Sequence, residues 1–114
     1  MAKNAKAAYA TAVWLQIRRD KCVAFVDHVR PHLEGWIREL PNFVEATLHA
    51  ALDEKRVLIY IVWDTKESAI NYRTGPDSEQ LWQVIQSSGA LLRDSHTYKI
   101  IEVIRRREPQ EPRT

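Results

Sequence analysis

A chain of 114 residues fits one domain with a modest hydrophobic core and leaves little room for a second domain. Its 28% charged content is ordinary for a soluble domain, and its net charge of +2 is too small to indicate nucleic-acid binding. The single cysteine, Cys22, excludes an intrachain disulfide and a cysteine metal cluster. No apolar run reaches the ~18–20 residues that cross a bilayer. We therefore expect a cytoplasmic protein with neither a membrane nor a nucleic-acid partner.

Composition divides the chain into three parts. Residues 1–10, rich in lysine and alanine, predict an N-terminal lead-in, and residues 11–105 predict the folded domain. Residues 106–114 contain two prolines and several charges, so they predict a tail that is either loose or in contact with a partner.

The first predicted elements are a strand and a long helix. Residues 12–18 alternate in the manner of a strand. Residues 20–40 carry apolar side chains three and four positions apart, which is typical of an amphipathic helix, and Asp20 is a candidate helix cap. Pro31 lies within this pattern and predicts a kink or a division of the helix, because proline lacks the N–H that the helix requires.

Two strands joined by a short polar turn are predicted next. Alternation over residues 43–52 places Phe43, Glu45, Thr47 and His49 on one face. Residues 53–55 have the length and polarity of a hairpin connection. The strand over residues 56–64 is apolar on both faces, with one set comprising Val57, Ile59, Ile61 and Trp63 and the other Leu58, Tyr60 and Val62.

The last part of the chain predicts helical segments followed by a final strand. A capping signal at residues 64–67 begins a helix that runs through residue 72. Residues 74–77 break it, and a second helical segment runs from residue 78 to a stop at Gly89. Residues 98–104 predict the final strand. The order is β–α–β–β–α–β, so we predict an α+β, ferredoxin-like fold with both helical regions on one face of an antiparallel sheet.

The second apolar face of this sheet predicts a partner. Burying one large apolar side chain is worth about 1.5–3 kcal/mol, so an apolar sheet face is unfavourable in water. A second copy of the chain is the simplest cover. Two sheets packed face to face predict a homodimer of the dimeric α/β barrel type.

Three segments give the chain a family resemblance: WIRELPNF at residues 36–43, ATLH at 46–49, and the strand that ends at Trp63. Together, over about residues 10–104, they resemble the antibiotic biosynthesis monooxygenase family of the dimeric α/β-barrel superfamily. The resemblance implies homodimers with a pocket between sheet and helices. It also implies an oxidoreductase that oxidises a quinol, anthrone or related polyketide-like aromatic with O2 and needs no flavin, haem or metal.

The resemblance also implies site residues. Trp63 matches the strand-end tryptophan that lines the pocket, His49 matches a strand histidine able to accept a proton, and Tyr72 falls near an aromatic position of the second helix. These three are the predicted catalytic residues. The ordinary alternatives are a core tryptophan, a hydrogen-bonded strand histidine and a helix-packing tyrosine. The predicted substrate-binding residues are Trp36, Ile59, Ile61 and Trp82.

Two departures from the family pattern leave other functions open. Ile59 stands where the oxygenase branch tends to have an asparagine, and Trp82 where it tends to have an arginine. A small-molecule-binding dimer without turnover is therefore one alternative, and an isomerase or cyclase that uses His49 is another. The resemblance also extends to a haem-degrading branch, which has a haem-ligating histidine on its second helix. Residues 65–88 contain no histidine, so haem degradation is disfavoured. His28 and His32 have a possible metal-ligand spacing, but no third ligand accompanies them.

Overall fold

The computed structural model describes residues 8–107, so residues 1–7 of the predicted lead-in (1–10) and residues 108–114 of the predicted tail (106–114) lie outside the described residues. Residues 8–107 form four strands and three α-helices, with short 3₁₀ turns at Arg19–Lys21 and Ile37–Glu39. In chain order the elements are β1 (Ala8–Ile17), α1 (Cys22–Gly35), β2 (Phe43–Ala50), β3 (Arg56–Trp63), α2 (Lys66–Thr74), α3 (Pro76–Ser87) and β4 (Ala90–Ile100). The strand β1 thus begins within the segment that the sequence predicts as lead-in.

The strands form one antiparallel sheet in the order β2-β3-β1-β4. All three helices pack on the same face, where Phe25 of α1, Tyr72 of α2 and Leu81 of α3 are buried with Ile59 and Ile61 of β3. The predicted α+β, ferredoxin-like βαββαβ fold is confirmed. The second helical region consists of α2 and α3 in direct succession.

The first helix differs from its prediction at both ends. Asp20 does not cap α1; it lies in the preceding 3₁₀ turn and forms a 3.1 Å ion pair with Arg18. The helix continues through Pro31, whose ring is exposed, and ends at Gly35. Glycine is a poor helix former, so the chain stops there and resumes as a separate 3₁₀ turn.

A β-bulge in β2 corrects the predicted faces of that strand. Phe43 pairs with Trp63 and Glu45 with Val62, so Val44 is an extra residue in β2. The bulge moves Phe43 onto the helix-covered face. Its ring meets the Trp63 indole edge-on, with ring centroids 6.1 Å apart.

The last strand lies earlier in the chain than predicted. It pairs with β1 from Ile17 opposite Ala90 to Ala8 opposite Ile100. Its helix-facing row is polar and includes Arg93, Ser95 and Thr97, so no apolar alternation marks the strand in the sequence. Residues 101–107 continue past the sheet, and three apolar side chains there are more than half exposed: Ile101, Val103 and Ile104.

The face of the sheet opposite the helices is apolar only along its centre. The central strands contribute Ala10, Ala12, Leu58, Tyr60 and Val62, and Trp14 there is 46% exposed. The edges are polar, with Glu45, Thr47 and His49 on β2 and Asp94 and His96 on β4. The predicted sheet-wide apolar face is therefore a central stripe with polar margins. Among residues 8–107, no helix has the length and apolar character needed to cross a membrane.

Candidate active site

Trp63 forms the floor of a cleft between the sheet and the helices. It is the last residue of β3, and its side chain is 1% exposed. The indole Nε1–H donates a 3.1 Å hydrogen bond to Oγ1 of Thr11, a buried residue of β1. This bond and the edge-on contact with Phe43 hold the indole in one orientation, with its other side turned toward α2.

Tyr72 of α2 packs against this indole. The two ring centroids are 5.3 Å apart and the ring planes are tilted by 33°. Helix α2 begins immediately after β3 because Thr65 caps it, its Oγ1 accepting a 3.0 Å hydrogen bond from the Ser68 N–H. The short connection brings Tyr72 back over the strand end. Two of the three predicted catalytic residues thus lie in contact.

The Tyr72 hydroxyl keeps its proton and is a hydrogen-bond donor. Burial raises its pKa far above the ordinary value, the Asp77 carboxylate raises it further, and Arg93 lowers it in part. The phenol therefore remains protonated throughout the physiological range. It can donate a hydrogen bond to a ligand oxygen, but it cannot act as a base there.

The cleft above these rings has a volume of about 200 Å³. It is smaller than the ~300–1,000 Å³ typical of ligand pockets, and a cavity of ~150 Å³ already accepts benzene. One aromatic ring fits inside it. The lining residues are Leu40, Pro41, Trp63, Ser68, Asn71, Tyr72 and Asp77.

The turn at Gly75 brings Asp77 to this cleft. A Cβ atom on Gly75 would lie 2.7 Å from the Asn71 carbonyl oxygen, which is too close for any other residue. Because glycine permits this approach, α3 begins directly beside the end of α2. Its first turn then presents Asp77 on the same side as Tyr72.

A second, much smaller cavity lies on the other side of Tyr72. Its volume is about 20 Å³, enough for a single water molecule. Trp82 lines this cavity instead of the cleft, and the Arg93 guanidinium carbon stacks 4.2 Å from the centroid of the Trp82 ring. A larger depression of about 610 Å³ at the far end of β1 is open and lined mainly by exposed charged residues, so the Trp63 cleft is the better candidate site.

Four other predicted site residues lie away from the cleft. Ile59 and Ile61 are fully buried in the core beneath the helices. Trp36 is half-buried and donates a 3.2 Å hydrogen bond from Nε1 to Nδ1 of His32. His49 is exposed on the opposite face of the sheet and shares a 2.7 Å hydrogen bond with Thr47, because strand alternation turns it away from the helices.

The cleft, and the hydrogen bond that orients its tryptophan, involve residues that the sequence did not single out. Thr11 is a lone hydroxyl in an otherwise apolar stretch of strand, and Asp77 lies within residues that indicate a break between helices. Ser68 and Asn71 occupy polar positions on a short helix. Only the capping signal at residues 64–67 indicated that α2 begins close to Trp63.

The two histidines of α1 do not assemble a metal site with other residues. Their ring centroids are 5.9 Å apart, and His32 Nδ1 already accepts the hydrogen bond from Trp36. Across residues 8–107, no group of three or more His, Cys, Asp or Glu side chains is arranged to hold a metal ion.

Solved structures share this fold, although no protein-family model matches the chain and no curated protein is significantly similar in sequence. The monooxygenase ActVA-Orf6 of Streptomyces coelicolor, solved in complex with nanaomycin D, has a TM-score of 0.74 at 22% identity, covering 90% of this chain and 95% of that chain. A Deinococcus radiodurans structure assigned to the antibiotic biosynthesis monooxygenases has a TM-score of 0.69 at 13% identity, covering 88% and 99%.

A third match is a dimeric protein of unknown function with a ferredoxin-like fold from Bacteroides fragilis. Its TM-score is 0.63 at 10% identity, with 82% of this chain and 96% of that chain covered. The chain therefore has the α+β fold of ferredoxin-like proteins. More particularly, it has the fold of the antibiotic biosynthesis monooxygenase structures, so the resemblance seen in the sequence is confirmed at the level of the fold.

Proposed function

We propose that the protein is a cofactor-independent monooxygenase that uses O2 to oxidise a quinol, an anthrone or a related aromatic. The observation that carries this proposal is the cleft floored by Trp63 and Tyr72, in a fold shared with a monooxygenase that binds nanaomycin D. The cleft volume favours substrates that insert one ring and leave any further rings at the mouth.

The residues of the cleft suit oxygenation that the substrate itself initiates. An electron-rich aromatic that has lost a proton can transfer an electron to O2, after which a methylene group becomes a carbonyl and one molecule of water is released. The protein then has to orient the ring, stabilise the oxyanion and exclude water. Trp63 is a buried apolar floor held in place by its neighbours, and Tyr72 provides a neutral hydrogen-bond donor for the oxyanion.

The test is oxygen uptake by metal-free protein with hydroquinone, 1-naphthol and anthrone, with products identified by mass spectrometry. We expect uptake with at least one compound and one substrate oxygen atom derived from labelled O2. Tyr72→Phe is expected to lower kcat about 100-fold, the typical cost of removing one oxyanion donor. Ser87→Ala, which removes an exposed hydroxyl at the end of α3, serves as the control and should leave kcat unchanged. Folded protein that consumes no oxygen with any of the three compounds would contradict the proposal.

Ligand binding without turnover is the second candidate function. Ile59, which stands where the oxygenase branch tends to have an asparagine, is apolar and fully buried, so it offers a substrate no polar group. Tight binding of the same aromatics, with no product after prolonged aerobic incubation, is the result that would favour this function.

We further propose that the protein is a homodimer that packs through the sheet face opposite the helices. An apolar centre with polar margins is the usual anatomy of a protein interface. The central stripe includes Trp14, 46% exposed, and the exposed apolar side chains of residues 101–104 add to the surface that a second copy would cover.

Sedimentation equilibrium at micromolar concentration tests the dimer. Trp14→Lys should shift the mass toward that of one chain, because it places a charge on the central stripe. Val23→Lys on the exposed side of α1 changes the charge equally and should leave the mass unchanged. A wild-type protein that sediments as a single chain would exclude this assembly.

A further inference from the structure

The cleft contains one carboxyl group and one phenol. Among its seven lining residues, only Tyr72 and Asp77 are titratable, and the Tyr72 hydroxyl stays protonated. A carboxylate accepts hydrogen bonds and protons. The cleft thus brings a neutral donor from the end of α2 and a carboxylate acceptor from the start of α3 next to the Trp63 indole.

A donor and an acceptor in one apolar cleft match the needs of a particular reaction. Removing the acidic C–H proton of an enolisable ketone, where that carbon adjoins the carbonyl group or is conjugated to it through a ring, requires a base at the carbon and a hydrogen-bond donor at the oxygen. An aspartate with a tyrosine donor is an established way to carry out this step at neutral pH. A flat aryl ketone in the cleft would present both atoms toward the polar lining residues.

We propose that Asp77 is the catalytic base of the site and that Asp77 and Tyr72 together enolise an aryl ketone with an acidic C–H group. The C–H bond breaks and its proton moves to the Asp77 carboxylate. Its electron pair forms the enolate double bond as the carbonyl π electrons move to oxygen, where the Tyr72 hydroxyl donates. The inference rests on the proposed function and deepens it, because the enolate formed in this way is the species that O2 oxidises.

Arg93 adds a charge on the far side of the same tyrosine. Its guanidinium group stacks on Trp82 and lines the 20 Å³ cavity together with Tyr72. A positive charge behind the donor favours an oxyanion in front of it. Asp77 and Arg93 therefore act on Tyr72 from α3 and from β4, with opposite signs.

Deuterium exchange without oxygen tests this step separately from oxygenation. Anthrone and the smaller ketone 2-tetralone are incubated with protein in D2O under nitrogen, and loss of the acidic C–H signal is followed by NMR. Wild-type protein should accelerate the exchange over buffer. Asp77→Asn should reduce this acceleration at least about 100-fold, and Tyr72→Phe about 100-fold. Glu79→Gln, an exposed change in the same helical turn, is the matched control and should exchange like wild type.

The outcomes separate the two proposals. If deuterium exchange depends on Asp77 but the protein consumes no oxygen in air, the proposal that Asp77 and Tyr72 enolise the ketone stands and the monooxygenase proposal is wrong. If the protein consumes oxygen but Asp77→Asn leaves the deuterium exchange unchanged, the proposed roles of Asp77 and Tyr72 in enolisation are wrong and the monooxygenase proposal stands. Wild-type exchange no faster than buffer with both ketones would also overturn the pair. Unchanged circular dichroism and unchanged binding of 9-fluorenone, which has no acidic C–H, would show that the Asp77→Asn cleft is intact.

Discussion

The hydrogen bond between Trp63 and Thr11 should matter for stability as well as for the cleft. Thr11→Val keeps the shape of the side chain and removes the acceptor, so the buried indole N–H loses its partner. An unsatisfied buried donor costs about 1–3 kcal/mol. Thr11→Ser provides the comparison, since it keeps the hydroxyl and loses one methyl group, worth about 0.8 kcal/mol.

The expected loss converts into a measurable shift. At about 2.1 cal/mol/K per residue, the unfolding entropy of 114 residues is about 0.24 kcal/mol/K. A loss of about 2 kcal/mol therefore lowers Tm by about 8 °C. Urea and thermal unfolding, followed by circular dichroism at one fixed protein concentration, measure both quantities; the fixed concentration matters because association shifts apparent stability.

The relative stability of Thr11→Val and Thr11→Ser shows whether the hydrogen bond or the methyl group contributes more. If the hydrogen bond dominates, Thr11→Val is less stable than Thr11→Ser, and the difference shrinks when Trp63 is replaced by Phe in both. If Thr11→Val is as stable as wild type and Thr11→Ser is the weaker variant, apolar burial outweighs the hydrogen bond. The hydrogen bond to Thr11 would then not be what holds the Trp63 indole in its orientation.

Three further predictions follow from burial and pKa. Ile59→Ala should lower the free energy of unfolding by about 2–5 kcal/mol in urea, whereas Val23→Ala at an exposed site should change it by less than about 0.5 kcal/mol. Folding raises the pKa of Tyr72, so the stability that this residue contributes is complete below about pH 10, where the unfolded tyrosine titrates, and falls as the pH rises further. Tyr72→Phe should therefore make the loss of stability at alkaline pH shallower. An equally steep loss in the variant would contradict this prediction. Burial also raises the pKa of the Cys22 thiol, with smaller contributions from nearby carboxylates. An aromatic disulfide reagent should therefore react slowly with native protein and rapidly with protein unfolded in urea. Rapid labelling of native protein would show that the thiol is accessible.

Local patterns determined the parts of this molecule that depend on near neighbours in the sequence. Helical spacing identified the buried side of α1, where Cys22, Phe25, Val29 and Leu33 are all buried. Strand alternation identified both apolar faces of β3, and the capping signal at residues 64–67 indicated the start of α2. The choice of Trp63 and Tyr72 as site residues came from the family resemblance.

The candidate site itself depended on contacts between distant parts of the chain. His49 has the right chemistry for a proton acceptor, but alternation and the pairing of β2 with β3 turn it to the opposite face of the sheet. Asp77 lies in what the sequence indicates as a break. It reaches the cleft only because the Gly75 turn folds α3 back beside α2.

The sequence by itself determined the order of the elements and the buried sides of α1 and β3, because spacing along the chain sets which side chains share a face. The tertiary structure alone decided the bulge that turns Phe43 toward Trp63, the register of the polar strand β4 and the presence of Asp77 and Tyr72 in one cleft. These features come from hydrogen bonding and packing between residues far apart in the chain. Local spacing carries no information about them, because many alternative pairings satisfy the same alternation.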